Sequence, residues 1–326
     1  MLVKRRKSTD FIQSIDALLR RLPGNHPKRA LIENDLAKRK AGYRGEKAVD
    51  YFINSLTEFT VIHDIRLYNG TEFFQIDTLL LSPSFILILE IKNISGTIFF
   101  DPTFNQLIQT KQDMEKGFLD PLMQARRQQK ELTKWLFDMK VKIPIEYLIV
   151  ISNPSTVIKA SSYHKNALAR VLHANQLLER IDKLKVKYPE EKLTVKEIRK
   201  VSKMIIKKHS PPNYNILKYY NLQEKDIITG IQCHSCSKFS VERVRGTWKC
   251  FACNIVDKEA HIKALQDYFY LIDSSITNHQ FRSFTYLSSS NIAKKLLTGL
   301  KLPHSGEKKS RMYHIPLNFF EKYRSK

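Results

Sequence analysis

Residues 75–93, QIDTLLLSPSFILILEIKN, hold two runs of apolar and β-branched residues bent at Ser82-Pro83-Ser84, and inside those runs sit Asp77, Glu90 and Lys92. Charged side chains are almost never buried without partners. A fold that uses these runs as core strands therefore has to bring partners to three charges. A loop of Pro83-Ser84 sets Ser82 opposite Phe85, and counting back along both strands sets Asp77 opposite Glu90. Facing side chains of an antiparallel pair hold their Cβ atoms about 5 Å apart. Two carboxylates at that distance in an apolar sheet repel each other and resist desolvation unless a cation lies between them. Hard oxygen donors with open positions suit Mg²⁺, which keeps part of its hydration and takes phosphate oxygens as further ligands. Lys92 lies two residues beyond Glu90 and points to the same face of the strand, where its ammonium can orient water or stabilise charge on a phosphate. The same three residues also fit a buried ion-pair network that only fixes the sheet.

The flanking pattern places this hairpin in an α/β layer domain spanning residues 41–155. Val49, Ile53 and Leu56 recur at helical spacing, FTVIHDIRLY and FILILEIKNISGTIFF read as strands, and Asn69-Gly70 is a turn signal. DPLMQARRQQKELTKWLF predicts a helix and IPIEYLIVISNP a buried strand. Glu46, three residues before Val49 and seven before Ile53, falls on the inward face of its helix, and Gln124, eight before Leu132, falls on a similar stripe. Polar groups on inward faces of two separate elements point to a polar pocket.

The chain has 326 residues with a net charge of +23 and a pI near 9.8, a field that collects polyanions, nucleic acid first. Residues 1–40 hold 11 Lys or Arg against 4 Asp or Glu and read as a basic helical arm. Residues 156–212 read as a basic helical segment closing in the linker SPPNY. All four cysteines fall in CHSCSKFSVERVRGTWKCFAC. Cys233 and Cys236, then Cys250 and Cys253, form two Cys-x2-Cys turns around a segment that alternates and turns at Arg245-Gly246. This spacing predicts a four-cysteine Zn²⁺ ribbon over residues 230–256 with a closed, structural shell. Arg243, Arg245, Trp248 and Lys249 are its candidate nucleic-acid contacts, although the little core of so small a fold favours packing Trp248 over the metal knuckle. Residues 257–326 carry three helical patterns and a basic hairpin, LPHSGEKKSRMYHIP, as in a small winged-helix-like nucleic-acid-binding unit. No run of about 18 apolar residues occurs, so the sequence predicts a soluble, cytoplasmic protein with no membrane partner.

GYRGEKAVDYFI, FFQIDTLLLSPSFILILEIKNISGTI and DPLMQARRQQKELTKWL together resemble the nuclease-related domain (NERD) family. The resemblance covers roughly residues 40–155 and implies a restriction-endonuclease-like mixed sheet flanked by helices, in the PD-(D/E)xK phosphodiesterase superfamily. It implies Glu46 as the helical acidic residue, Asp77 as the metal-binding aspartate, Glu90 and Lys92 as the ExK pair and Gln124 as the supporting polar residue. Ile76 stands where that pattern has proline, a position that shapes the turn. The function expected is a Mg²⁺-dependent nuclease acting on DNA. The alternatives are a catalytically inactive nucleic-acid-binding protein of DNA processing or mobile-element maintenance, and a polyanion-binding factor at a membrane surface.

Overall fold

The computed structural model of the chain describes residues 2–6, 10–212, 214–316 and 319–323. Its contacts divide the chain into a first unit of residues 1–7 and 39–212 and a second unit of residues 8–38 and 213–326. The residues expected to form a single basic arm are thus shared between the two.

Strand β1 (Leu2–Lys4), helix α1 (Asp10–Arg21) and the long helix α2 (Arg29–Ile53) open the chain. The first unit continues with strands β2 (Thr60–Tyr68), β3 (Phe73–Leu81) and β4 (Ile86–Lys92). Asn69 Oδ1 accepts from the amides of Thr71 and Glu72 and closes the β2–β3 turn, with Gly70 in the left-handed region at φ 101°. The hairpin of β3 and β4 has the register obtained by counting, with Leu81 opposite Ile86 and Thr78 opposite Leu89. FILILEIKNISGTIFF is not one strand. It breaks after Lys92, and β5 (Thr97–Asp101) joins a second sheet with β6 (Gln106–Lys111) and β7 (Met114–Leu119). Gly96 makes that break possible: it has φ 86°, and a Cβ there would lie 2.5 Å from the Thr110 carbonyl oxygen. β7 is exposed at every position and so offers no apolar alternation to read.

Helix α3 (Pro121–Asp138) starts on the Asp120 side chain, which accepts from Leu122 N, with proline in its first turn. After it come β8 (Ile145–Ile151), β9 (Val157–Ala160), α4 (Lys165–Arg170), β10 (Val171–His173), α5 (Leu177–Lys187) and α6 (Val195–Lys208). The main sheet is mixed, in the order β1-β2-β3-β4-β8-β10. Strand β4 pairs antiparallel with β3 and parallel with β8. Because side chains alternate along a strand, Leu79, Ile88 and Ile149 pack beneath α3 and α6, while Leu80, Leu87 and Val150 pack beneath α2 and α5. The apolar stripes of α5 and α6, Leu177 and Ile181 on one and Ile198, Val201 and Ile205 on the other, are thereby buried. The basic segment after residue 155 is part of this layered unit.

The second unit holds α1 and α7 (Ile216–Tyr219), a ribbon of β11 (Val241–Val244), β12 (Thr247–Cys250) and β13 (Val256–Asp257), and then α8 (Ala260–Leu271). Strand β14 (Ser275–Thr277), helices α9 (Asn278–Thr285) and α10 (Ser290–Gly299), and strands β15 (His304–Ser305) and β16 (Met312–His314) complete it. Phe11, Ile15 and Leu18 of α1 share one core with Trp248 of the ribbon and with Leu265 and Phe281 of the following helices. Arg21 and Asp267, both buried, pair within that core at 2.8 Å, and the Arg21 guanidinium also donates to the carbonyls of Ile228 and Gly230. The dibasic end of α1 is therefore partly structural.

Candidate active site and cysteine cluster

Strands β3 and β4 separate after the Thr78–Leu89 pair, and the Asp77 carboxylate enters the gap to accept the Ile91 amide at 3.0 Å. Asp77 is thus held on the backbone of the strand that carries Glu90 and Lys92. Glu90 is 1% exposed, and both its oxygens are engaged, Oε1 by Lys92 Nζ at 2.6 Å and Oε2 by Gln128 Nε2 at 2.7 Å. Lys92 Nζ also donates to Gln124 Oε1 at 3.1 Å. Asp77 Oδ1 takes no hydrogen bond among the described residues.

Glu46 reaches this notch from α2. Gly45 explains how the helix comes so near: a Cβ there would lie 2.4 Å from Asn93 Cβ and 2.5 Å from Ser152 Oγ. Burial, and then the neighbouring Asp77 charge, pushes Glu46 up to about 8. Burial and Asp77 likewise push Glu90 up to about 7 and burial raises Asp77. Burial pulls the Lys92 ammonium down, but Glu90 beside it outweighs this, and its pKa ends above the ordinary value. The site is a group of carboxylates short of positive charge.

The structure brings Glu46, Asp77, Glu90, Lys92 and Gln124 together, with one exchange of position. Gln124 is exposed at the rim, and Gln128, one turn further along α3 and 5% exposed, holds the buried place against Glu90. Eight residues of helix leave Gln124 about 80° off the Leu132 stripe, whereas four bring Gln128 close beneath it. Two further site residues are absent from the sequence-based reading. Asp64 lies opposite Asp77 in the β2–β3 pair, between the His63–Thr78 and Ile65–Ile76 partners, with φ 51°. Aspartate is among the few residues that adopt this conformation at modest cost, and Lys4 Nζ donates to the carbonyls of His63 and Asp64 at 2.8 Å each. Burial raises the Asp64 carboxyl, with Asp77 adding to the effect. The second is Arg6, whose side chain is 2% exposed. It donates to Glu46 at 2.6 Å, to Asp50 and to Thr78, and lies 3.6 Å from Asp64. Asp64 breaks a run of buried residues in β2, a signal of the kind that singled out Asp77. Arg6 gives no such signal, since it lies in a basic leader 40 residues before Glu46.

In the second unit the ligand sulfurs of Cys233, Cys236, Cys250 and Cys253 all lie within 4.8 Å of one another, with two pairs at 3.6 Å. Four sulfurs on a tetrahedron around zinc at about 2.3 Å stand about 3.8 Å apart, so the cluster could hold a zinc ion. The Ser240 hydroxyl, 3.4 Å from Cys250 Sγ, draws that thiol down to about 6. Arg245 and Gly246, at φ 42° and 85°, form the β11–β12 turn.

Trp248 lies inside. It is 1% exposed, donates from Nε1 to His261 Nδ1 at 3.2 Å and stacks on that ring, so it offers no face to a base. With so little core in a ribbon, burying the indole satisfies both its apolar area and its N–H. The Arg243 guanidinium lies 5.0 Å from the Trp248 ring and bonds the Gly246 carbonyl, whereas Arg245 is exposed and Lys249 half-buried.

Among the described residues no helix is long and apolar enough to cross a membrane. No curated protein and no solved structure matches the chain. Residues 41–152, from Ala41 in α2 through the carboxylate notch to the end of β8, match the model of the NERD family, described as the nuclease-related domain, and the first unit carries that domain.

Proposed function

We propose that the first unit is a Mg²⁺-dependent phosphodiesterase that hydrolyses DNA, and that the second unit carries a structural Zn²⁺ ribbon and helps to hold the nucleic acid. The observation that carries this reading is the row Asp64, Asp77 and Glu90 on three adjacent strands, with Glu46 beside it and Lys92 on Glu90, inside the region that matches a nuclease-related domain. The donors are hard oxygens whose pKa values are raised by desolvation and, for Glu46 and Glu90, also by the Asp77 charge, a set that fits a divalent cation. Asp77 and Glu90 would hold Mg²⁺, with Glu46 at the edge of the site. When bound, the ion supplies Lewis-acid polarisation of a phosphate oxygen and a more acidic water.

The chain's own residues do the rest. Lys92 stays charged near neutrality, so it acts as a cation facing the phosphate and not as a base. Glu90, fixed by Lys92 and Gln128, and Asp77, fixed by the Ile91 amide, keep their oxygens in place before substrate arrives. Hydrolysis adds water across one P–O bond, leaving one new phosphate oxygen from water and a hydroxyl on the departing end.

The second reading, a domain that binds nucleic acid without cutting it, is favoured by one observation: Glu90 and Glu46 are already paired with protein cations, Lys92 and Arg6. Supercoiled plasmid incubated with the purified protein in Mg²⁺ or in chelator separates the two. Asp77→Ala and Glu90→Gln are expected to lose cleavage a hundredfold or more and to keep DNA binding within a few fold. Equal nicking by wild type and both variants, or none by wild type under any divalent metal, removes the nuclease reading.

A further inference from the structure

From Ala260 onward the second unit runs helix, strand, helix, helix, strand, strand, and its small sheet has the order β14-β16-β15, all antiparallel. This is the arrangement of a winged helix, in which α9, a short turn and α10 form a helix-turn-helix and the β15–β16 loop forms the wing. The turn is built for that corner: Tyr286 caps α9 in the left-handed region at φ 55°, and Ser289 caps α10 by accepting from Ile292 N. Asn278 and Ser290 bond each other across the start of the two helices. Helix α10 turns Ala293 and Leu297 into the core and leaves Asn291, Lys294, Lys295 and Thr298 exposed along one shallow open depression. Gly306, at φ 70° with the Ser310 carbonyl 2.6 Å from where a Cβ would be, sets the tight wing that presents exposed Lys308 and half-buried Arg311.

We propose that α10 enters the major groove of B-form duplex DNA, with the wing on the neighbouring backbone. The proposal shares with the nuclease reading only the premise that nucleic acid is the partner. Three observations converge on this occupant. Residues 274–306 contain no Asp or Glu, so α9, α10 and the turn between them carry no carboxylate of their own, and in the wing the one acid, Glu307, is set beside Lys308 and Arg311. The exposed stripe mixes Lys294 and Lys295 with Asn291 and Thr298, side chains that reach phosphates and base edges and that an anionic lipid surface does not require. A helix with its side chains is about 10–12 Å across and fits a major groove about 12 Å wide, and the 10 residues of α10 give it about 15 Å to lie along that groove. The deep, narrow major groove of duplex RNA does not admit a helix.

The test uses the full chain, zinc retained, in magnesium-free buffer, with fluorescence anisotropy on a labelled DNA duplex, the RNA duplex of the same sequence and the single strand. Wild type is compared with Lys294→Ala/Lys295→Ala, with Lys295→Glu alone, and with a charge-matched control on exposed lysines of α6, Lys196→Ala/Lys200→Ala. Circular dichroism and zinc content are checked for each. The α10 pair is expected to weaken DNA-duplex binding about tenfold or more and to lower the salt slope by about two, one for each phosphate no longer neutralised. The single reversal should weaken it comparably, the control should weaken it less than threefold, and wild type should prefer DNA duplex over RNA duplex. Unchanged binding by both α10 variants, an equal effect of the α6 control, or equal affinity for duplex RNA would overturn the proposal. Plasmid nicking in Mg²⁺ keeps the two readings apart: a wild type that binds duplex through α10 without nicking sinks the nuclease alone, and a wild type that nicks while the α10 variants bind normally sinks only this docking face.

Discussion

The first unit gathers Glu46, Asp64, Asp77 and Glu90 into one notch, and the second gathers Cys233, Cys236, Cys250 and Cys253 around one point. Both sets are four acidic groups, yet their surroundings differ. The carboxylates sit where the interior strands β3 and β4 part, in a large sheet that already has an apolar core on each face, and Lys92 and Arg6 partly offset their charge. The sheet does not depend on the notch for its packing. The cysteines lie on two tight turns of a ribbon with few apolar residues of its own, and its buried indole is held by His261 of α8. A metal at the cysteines would be part of the fold, and a metal at the carboxylates would be added to a fold already made. On the proposed reading, similar donor counts would serve structure in one place and reactivity in the other.

The largest effect that could break this comparison is loss of the ribbon metal. Protein purified without chelator is expected to hold one Zn²⁺ per chain by elemental analysis, and Cys250→Ser is expected to lose it together with the folded second unit, read as exposure of Trp248 in a Trp135→Phe background. Asp77→Ala should change neither signal. Cys250→Ser with full zinc and a buried Trp248 would mean that the cysteines do not support the fold. Next in size is Arg6→Ala. It leaves Glu46 and Asp50 without their buried cation, and breaking one side of such a pair costs about 3 kcal/mol. Urea unfolding followed by Trp135 in a Trp248→Phe background should register that loss in the first unit, with Arg6→Lys intermediate. A change below about 0.5 kcal/mol would show that the notch tolerates its charge without Arg6.

The two clusters were also unequally legible in the sequence. Cys-x2-Cys is a local signal, with both ligands of a pair on one turn, so spacing alone announces the cluster. Asp77 and Glu90 could be read together because a single hairpin joins them and its register follows from the loop at Pro83-Ser84. Asp64 required the next strand's register, and the turn at Asn69-Gly70 would have supplied it: counting outward to Asp77 through the Tyr68–Phe73 pair arrives at position 64. Arg6 required knowing that β1 pairs with β2 across almost 60 residues, which no local pattern encodes. Gln128 was missed through helical phase, since an offset of eight residues stands about 80° from the stripe and an offset of four only about 40°. The three helices after the ribbon were legible because each has its own apolar stripe, whereas β7, with no buried face, left no trace.

The smallest effect sharpens the comparison most, because it reads charge in the notch without requiring catalysis. Glu46 is pushed up to about 8 and Glu90 to about 7 by burial and by Asp77. A carboxyl whose folded pKa is raised binds its proton more tightly in the folded chain than in the unfolded one. Its contribution to stability is fully present below the unfolded value near 4.5 and is lost as pH rises through the folded value. Metal-free protein should therefore lose stability in the first unit steadily from about pH 4.5, levelling off above about pH 8, and Glu46→Gln should reduce that slope. A divalent cation competes with those protons, so Mg²⁺ should raise the melting temperature of the first unit little at about pH 6 and by a few degrees at about pH 8.5. Differential scanning fluorimetry of wild type, Glu46→Gln and Glu90→Gln across that range, with and without millimolar Mg²⁺, measures both. Mg²⁺ protection that is flat with pH, or that survives in both variants, would place any bound magnesium away from Glu46 and Glu90 and leave the notch as an ion-pair network held by Arg6 and Lys92.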